Sequence, residues 1–297
     1  MGLAYTIDGN ELSTFKMLAG RAPGSNLAVS GFLDFPKRMH KAFHQWPDQD
    51  GVEPWLNAGL IHYEGRDIDF YGLIKATDLA DAKNQLGSFF AVFSSATDLI
   101  TLDTTESAHD VYQRDEITAN YMGDGWVTVH LPLREPVPDL TGDIPVEADA
   151  NNFLGIDRKS WDTLGLIPLE LLNRYHRAQL QNMSFSVYGK EGYEITKREA
   201  NTRTFKGVLN YASLTELVSG CKGLYAILQQ AKLLRLKLPS DDSREFFNTE
   251  GFSVTNIKVA EGQVTALFEM TIIEDDIVTD VIVDSGIFDN TFDATFG

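Results

Sequence analysis

The chain has 297 residues, 43% of them hydrophobic, so it is long enough for about two ordinary domains and too apolar to be disordered. Its formal net charge of −18 argues against a protein that grips nucleic-acid phosphates, because such a protein needs a basic face. Its richest apolar run is far shorter than a membrane span and its N-terminus has no secretory pattern, so we expect no membrane insertion.

The first stretch with possible metal ligands is "HKAFHQWPD". It places His40 and His44 four residues apart, which on a helix would give the spacing of two zinc ligands. Pro36 and Pro47 bound the stretch, and no third ligand is evident. We therefore expect histidines that are solvated or packed, not a metal site.

The next stretch, "WPDQDGVEP", offers three carboxylates around a glycine. They are Asp48, Asp50 and Glu53. A calcium loop needs its glycine at the sixth position, but Gly51 comes fourth from Asp48. The pattern favours a polar turn, and nothing in the sequence calls for a cofactor.

A strand, a helix and a hairpin follow. "RDIDFYGLIKA" alternates like a strand, and Thr77 or Asp78 can cap a helix that runs to about Ser95. "TDLITLD" reads as another strand, and "NYMGDGWVTVHLPL" as a hairpin that turns at residues 123–125. The helix carries a predicted apolar stripe of Leu79, Leu86, Phe89, Phe90 and Phe93.

A proline-rich acidic connection comes after the hairpin. The segment from Pro132 to Asn152 has four prolines, five acids and no amphipathic period. Residues 135–150 contribute −5 to the net charge and residues 274–297 contribute −7, so these two segments hold −12 of the −18. Acidic linkers and tails commonly keep proteins soluble, which is the simplest interpretation of both.

The second half repeats the element order of the first. "TRTFKGVLNYA" is a strand, Ser213 and Glu216 form a capping box, and the helix continues to about Gln230. "AKLLRLKL" and a hairpin that turns near Glu261 follow. The only cysteine, Cys221, lies within the helix pattern, which predicts a buried inert thiol and fits folding in a reducing cytoplasm.

This likeness has a constant spacing, which indicates a duplicated unit. Pairs of similar residues recur 135 positions apart, with the last hairpin displaced by two so that Val127 matches Val264. The pairs are Gly72 with Gly207, Leu79 with Leu214, Phe89 with Leu224, Phe90 with Tyr225, and Phe93 with Leu228.

The duplication predicts a mainly β fold (β+α) with two tandem units, each a small β-barrel or sandwich with one flanking α-helix. We expect a first domain at 1–133, an acidic linker at 134–150, a second domain at 151–274 and an acidic C-terminal tail at 275–297. A parallel doubly wound fold would need several more helices.

Two further segments are candidate contact regions. The tail ends in "IFDNTFDATFG", where Phe288, Phe292 and Phe296 are spaced four apart, and we expect them to dock on a neighbouring subunit. The segment from Tyr188 to Phe205 mixes bases, acids and aromatics, which favours a charged strand pair at a surface or subunit contact.

No catalytic motif stands out, so several function classes remain open. There is no nucleotide-binding, zinc-protease or nucleophile-elbow motif, and the spacing selects no carboxylate pair for a hydrolase. An alternative is a two-domain module that binds a carbohydrate or peptide through exposed aromatics such as Trp46, Trp55 and Trp126.

Three motifs carry a resemblance to a known family. "YTIDGNELSTF", "GFLDFPKRMHKAFHQWPDQDGVE" and "GRDIDFYGLIKA" resemble the distal tail or tail-hub proteins of long-tailed bacteriophages, particularly those of phages of Bacteroidetes hosts. Residues 150–274 look like a second copy of the same design.

The resemblance implies a structural virion protein, not an enzyme. It implies the tail-tube fold, assembled as a ring of three or six chains at the junction of tail tube and baseplate. Its partners would be further copies of itself, the tail tube protein and other tail-tip proteins. Double-stranded DNA would pass through the ring without specific contacts, after assembly of the particle in the host bacterial cytoplasm.

Overall fold

The computed structural model describes residues 4–46, 49–147, 154–176, 178–239 and 243–275. The strands of the first half are β1 (Tyr5–Ile7), β2 (Asn10–Glu11), β3 (Met17–Ala19), β4 (Val29–Ser30), β5 (Phe43–His44), β6 (Glu53–Pro54), β7 (Arg66–Lys75), β8 (Ile100–Thr104), β9 (Ala108–Gln113), β10 (Thr118–Gly123) and β11 (Trp126–Glu135). Those of the second half are β12 (Gly155–Ile156), β13 (Leu166–Leu172), β14 (Leu180–Val187), β15 (Lys190–Arg198), β16 (Thr202–Tyr211), β17 (Leu234–Lys237), β18 (Arg244–Phe247), β19 (Phe252–Ala260) and β20 (Gln263–Glu274). The helices are α1 (Leu79–Ser95) and α2 (Leu214–Leu228).

Two large sheets contain most of these strands, and their shared strands have the same order. The first runs β1-β8-β9-β11-β7-β3 and the second β12-β17-β18-β20-β16-β13, with β10 on β11 and β19 on β20. We call them the first and second repeat. The predicted mainly β fold with one helix per repeat is confirmed, and so is the repeated element order.

Each repeat has an insert between its edge strand, β3 or β13, and the long strand that follows, β7 or β16. The first insert is residues 20–65, between β3 and β7, and the second is residues 173–201, between β13 and β16. The first contains β4 and the short hairpin β5–β6, and the second contains the longer hairpin β14–β15.

The matching glycines occupy equivalent places. Gly72 pairs with Ala19 of β3, and Gly207 pairs with Pro168 of β13. A Cβ on either glycine would collide with an apolar side chain of that edge strand, Met17 or Leu166. Only a glycine leaves room for the neighbouring side chain to cross the strand here. Packing therefore explains why both motifs have a glycine at this position.

The hairpin register corrects one detail of the duplication. Gly72 pairs with Val129 in the first repeat, and Gly207 pairs with Phe268 in the second. Phe268 follows Val129 by 139 positions, so the last strand is displaced by four residues relative to the offset of 135, and the predicted displacement of two is wrong. An even insertion, two residues in each strand, lengthens the hairpin without exchanging its buried and exposed faces.

Both helices begin with the predicted caps. The Asp78 carboxylate accepts a hydrogen bond from the Asp81 amide, and the Ser213 hydroxyl accepts one from the Glu216 amide. Each cap satisfies a backbone donor that the first turn of a helix leaves free. The extended chain just before each cap is also a hydrogen-bond donor to Asp81 or Glu216.

The two helices differ in how much of their surface is covered, and the predicted stripe on α1 is partly wrong. Phe89 is fully buried against Phe15, but Leu79 and Phe90 are exposed. On α2 the equivalent residues, Leu214 and Tyr225, are buried. The difference arises because α2 is also covered by segments of the first repeat, whereas in the described residues the packing contacts of α1 are with its own repeat.

Two acids counted in the acidic segments 135–150 and 274–297 are buried at the ends of long strands. Glu135 closes β11, where it accepts hydrogen bonds from Arg66 (2.6 Å) and contacts His109. Glu274 closes β20 at the equivalent position, where Arg203 and Arg244 bind it. Residues 134 and 135 therefore belong to the first sheet, because a buried carboxylate needs partners that a solvated linker would not supply.

The residues after β11 run across α2. Lys222 pairs with Asp139 at 2.8 Å, and the Gln229 side-chain amide donates to the Leu140 carbonyl at 2.7 Å. Pro145 lies against Gly223 of the helix. This acidic segment, residues 136–147, is called the linker, and its contacts attach the exit of the first repeat to the second helix.

Candidate assembly interface

The first insert lies along the outer edge of β19 and joins the two repeats. Phe35 and Phe252 exchange two backbone hydrogen bonds, of 2.9 and 3.1 Å. Asn26 binds the backbone within and just after the β19 bulge, donating to the Ile257 and Val259 carbonyls and accepting from the Val259 amide. These bonds satisfy the edge of β19 that faces away from β20, which an exposed edge strand would leave unpaired.

Aromatic rings fill the space beneath these backbone bonds. The Phe35 ring stacks on Tyr225 of α2 at 5.4 Å and on Phe252 at 5.7 Å. The Tyr225 hydroxyl donates to the Leu33 carbonyl at 2.8 Å and also contacts Arg66. The repeats thus share a continuous core, in which stacked rings contribute beyond the area that they bury.

One titratable group lies inside this contact. Asp34 accepts a hydrogen bond from the Val254 amide of β19 at 2.7 Å. Burial disfavours the carboxylate and raises the pKa of Asp34 to about 7, while the Val254 amide and the charge of Arg66 oppose the rise. We therefore expect the contact between the repeats to depend on pH near neutrality.

The contact between the repeats is not reciprocal in the described residues. The first insert covers β19, but the second insert does not cover β10. A reciprocal contact would place the second insert on β10, the strand of the first repeat that corresponds to β19. Residues 118–122 of β10 are all exposed, and no backbone bond reaches the outer edge of β10 from any strand that the structure describes. An interface of this head-to-tail kind leaves two complementary surfaces unused on every chain.

The exposed face of β10 matches the occupied face of β19. Counting from the register of the two hairpins, Met122 corresponds to Ile257 and Ile117 to Phe252. Ile257 is 2% exposed beneath the first insert, whereas Met122 is 70% exposed, and Tyr121 beside it is exposed as well. An apolar strand with a free edge is a template for pairing with another chain.

The second unused surface is the hairpin β14–β15, which we call the arm. Its strands pair with each other from Leu180 to Arg198 and with no other strand of the described chain. Its two-residue turn at Tyr188 and Gly189 has positive φ at both positions, as a tight hairpin requires, and Tyr188 is fully exposed. A lone two-stranded hairpin is at best marginally stable in water, so contact with a further surface would stabilise the arm.

The base of the arm is held by the first insert. The Lys197 ammonium donates to the Trp46 carbonyl, and the Asp50 carboxylate accepts from the Arg198 amide at 2.7 Å. The Gly51 amide in turn donates to the Arg198 carbonyl. These bonds anchor the arm at one end and leave its tip clear of the body.

The predicted contact residues of the tail, Phe288, Phe292 and Phe296, lie outside the described residues. The segment between Tyr188 and Phe205, predicted as a charged strand pair, forms the second strand of the arm and the start of β16, but these two strands do not pair with each other. The sequence pattern missed β10 as a surface, because a strand exposed on both faces lacks the alternation that marks a half-buried strand.

The stretches with possible metal ligands bind parts of the protein itself. His44 lies in β5 and contacts Lys41 and Trp46, and His40 is not on a helix, so the pair lacks the geometry of helical zinc ligands. Asp48 lies outside the described residues. Within the described part of the chain, no group of three histidine, cysteine or carboxylate side chains could hold a metal ion.

The tryptophans proposed for ligand binding do not form one cluster. Trp46 donates to Glu53, and Trp55 lies under Lys41, both in the first insert. Trp126 lies under Lys75 at the far end of β11 from Glu135, about 30 Å along the strand. A single aromatic platform of these three residues is therefore absent.

In the described residues, the cleft at the junction of the repeats, the buried thiol and the helices show no catalytic or ligand-binding motif. A cleft of about 370 Å³ at the junction of the repeats has mixed charged walls that include Asp34, Lys37, Arg66 and Glu250. Cys221 is fully buried, and burial raises the pKa of its thiol far above its usual range. None of the helices in the described residues is long and apolar enough to cross a membrane.

Comparisons of the sequence and the fold with known proteins do not assign the chain to a family. No family model matches the chain, and no curated protein does. One similar solved structure is the crystal structure of the SPP1 Dit (gp 19.1) protein, described as a paradigm of the hub adsorption apparatus in Gram-positive infecting phages. It is 11% identical over 91% of this chain and 99% of that chain, with a TM-score of 0.36, a similarity too low to carry an inference. A Bacteroidetes host has no support here.

Proposed function

We propose that this protein is a structural component of a bacteriophage tail, which assembles head to tail into a closed ring at the distal tail or hub. The observation that carries the proposal is the one-sided contact between the repeats. The first insert and linker of one repeat cover β19 and α2 of the next, while β10, the outer face of α1 and the arm are exposed in the part of the chain that the structure describes. If the second repeat of one chain contacts the first repeat of the next chain in the same way, all of these surfaces become covered.

The proposed ring has three chains and six repeats. In it, residues 1–133 and 151–274 act as successive ring units, with residues 134–150 connecting them. The second insert, including the arm, would lie on β10 of the next chain as the first insert lies on β19. Closed heterologous contacts leave no free strand edge, which distinguishes a ring from an open filament.

The charge and chemistry of the chain agree with this role. A net charge of −18 suits a channel through which DNA passes without specific contacts, because cationic groups would bind the phosphates. The motifs of residues 5–15, 31–53 and 65–76 support the tail-hub family, and with it a location in the virion tail tip. The tail tube protein and other tail-tip proteins would be its neighbours.

The test is the mass and shape of the purified protein. We expect a species of three chains, each of 33.1 kDa, and rings with a central hole in negative-stain images. Met122→Asp should weaken assembly about tenfold or more, because it places a charge on the edge that β10 offers. Leu60→Asp is a matched control, since Leu60 is 62% exposed in the first insert.

A strict monomer at high concentration, both free and in the presence of tail tube protein, would contradict the proposal. So would equal loss of assembly in the two variants, because the interface would then not involve β10. Retention of a folded monomer by Met122→Asp, measured by circular dichroism, separates an assembly defect from misfolding.

A further inference from the structure

The linker shows where a segment leaving a repeat goes. It follows β11 and crosses the second half of α2, where Asp139 pairs with Lys222 and Pro145 lies on Gly223. The Gly142 backbone lies so close to the Lys222 carbonyl that a Cβ would collide with it. The linker backbone therefore packs closely against α2.

The chain leaves the second repeat from an equivalent point. Glu274 ends β20 as Glu135 ends β11, and each is buried and held by an arginine from the paired long strand. Residues 276–297, which we call the C-terminal tail, come next, and like the linker they contain acids and no base. The linker sequence Asp139-Leu140-x-x-Asp143 has a counterpart in the tail at residues 280–284.

The equivalent surface of α1 is exposed in the described part of the chain. By the offset of 135, the linker's contacts on α2 at Lys222, Gly223 and Gln229 correspond to Gly87, Ser88 and Ser94. All three are exposed, and a Cβ on Gly87 would meet only open space. Small residues let a backbone approach a helix closely, and Lys83, one turn before Gly87, is the only base on α1.

We propose that the C-terminal tail of one chain docks on the Gly87–Ser94 face of α1 in the next copy of this chain. The inference rests on the proposed ring, in which the step from first to second repeat is repeated between chains. The tail has 22 residues and can span about 70 Å when extended, whereas α1 is about 26 Å long. It is thus long enough to cross the helix and still place Phe288, Phe292 and Phe296 beyond it.

Docking on a second copy, and not on the helix of the same chain, follows from the direction of the contact. The linker leads forward from the first repeat to the second, and the contact between the repeats has no reciprocal half. A tail that turned back to α1 of its own chain would require the second repeat to contact the first as the first contacts the second. The occupant is therefore the tail of the preceding chain in the ring.

Cysteine cross-linking between two differently marked chains tests this. One chain lacks residues 276–297 and carries Ser88→Cys, and the other carries Val281→Cys, Ser285→Cys or Asp289→Cys. The native Cys221 is fully buried and does not compete. After mixing and mild oxidation, we expect at least one pair to form a disulfide-linked heterodimer.

A matched pair of variants on α1 makes the test specific. Gly87→Glu adds an acid to the docking face and should lower the cross-linking yield about tenfold by repelling the acidic tail. Asn84→Glu is the control, because Asn84 corresponds to Ser219, which the linker leaves exposed on α2. Equal effects of both variants would overturn the proposed face.

The outcomes separate this inference from the proposed function. Rings that form without any heterodimer cross-link would overturn the tail's docking site and leave the ring intact. Cross-links only within full-length chains that carry both cysteines would overturn docking on a second copy. A chain that never forms rings would overturn both.

Discussion

Each repeat buries one carboxylate at the end of its last long strand. Glu135 is bound by Arg66 and His109, and Glu274 by Arg203 and Arg244. In the sequence, neither acid can be distinguished from the acids that follow it. Their role depends on arginines about 70 positions away in sequence, so counting charges could not identify it.

Replacing Glu135 with glutamine should destabilise the chain strongly. The change leaves the Arg66 guanidinium, 4% exposed, without its counter-charge, and breaking a buried ion pair from one side costs about 3–5 kcal/mol. Urea unfolding measures the loss. Asp67→Asn is the control, because Asp67 pairs with Arg114 and Arg134 at the surface, where such pairs contribute about 1 kcal/mol or less.

A second residue-scale prediction concerns pH. The folded chain raises the pKa of Asp34 to about 7, so it holds a proton that the unfolded chain releases near pH 4. This contribution to the free energy of unfolding is complete below about pH 4 and is lost as the pH rises through about 7. Asp34→Asn should remove that decline, since a neutral side chain of the same size replaces the titrating one.

The measurement is urea unfolding of the two proteins at a series of pH values from 4 to 9. The difference between the proteins isolates Asp34 from all other titrating groups, because both proteins share them. An unchanged slope in the asparagine variant would show that Asp34 titrates at an ordinary pKa.

At the scale of elements, the sequence predicts what each repeat builds from its own residues. The long strands, both helix caps and the two hairpin turns follow from alternation, capping residues and glycine. The exposure of Phe90 on α1 and the burial of Tyr225 on α2 do not, because the two helices have similar patterns. The first insert and the linker, which are distant in sequence, decide which helix is covered.

The inserts were the least predictable elements. The first insert binds β19 through backbone groups and an asparagine side chain, and neither leaves an apolar period in the sequence. The strands β9 and β18 also lack a strong pattern, since they are short and partly exposed. Only the pairing with their neighbours identifies them.

The arm gives a prediction at this scale. Its backbone bonds lie in a lone hairpin, so its amides should exchange with solvent much faster than those of β16 and β20 in the monomer. In assembled rings, where the arm would lie against the next chain, exchange should slow by about tenfold or more. Hydrogen exchange with mass spectrometry on both species measures the change.

Peptides from β10 provide the internal comparison, because the same assembly should protect the two together. Protection of β10 without the arm would assign another partner to β10. Protection of the arm in the monomer would show that it already packs on its own chain.

At the scale of the whole molecule, the non-reciprocal contact between the two repeats leaves two different surfaces without a counterpart. One unmatched surface consists of β10 and the exposed face of α1, and the other is the arm. Two equal repeats related by a reciprocal two-fold contact would bury both sets and leave a closed monomer. The exposure of Met122 where Ile257 is buried is the clearest mark of this difference.

Two different surfaces of this kind predict the behaviour of a mixture of two blocked chains. A chain with Met122→Asp keeps its arm but has a blocked β10, and a chain without residues 182–195 keeps β10 but has no arm. Each alone should remain a monomer. Together they should form one-to-one dimers and nothing larger, because the arm of the first binds β10 of the second and both remaining surfaces are blocked.

Mass photometry or sedimentation distinguishes the possible results. Larger species in the mixture would mean that one of the two changes fails to block its surface. If no dimer forms while the unmodified protein makes rings, the arm and β10 are not partners of each other. If either blocked chain pairs with itself, the interface is reciprocal, and a ring built by repeating the internal contact is excluded.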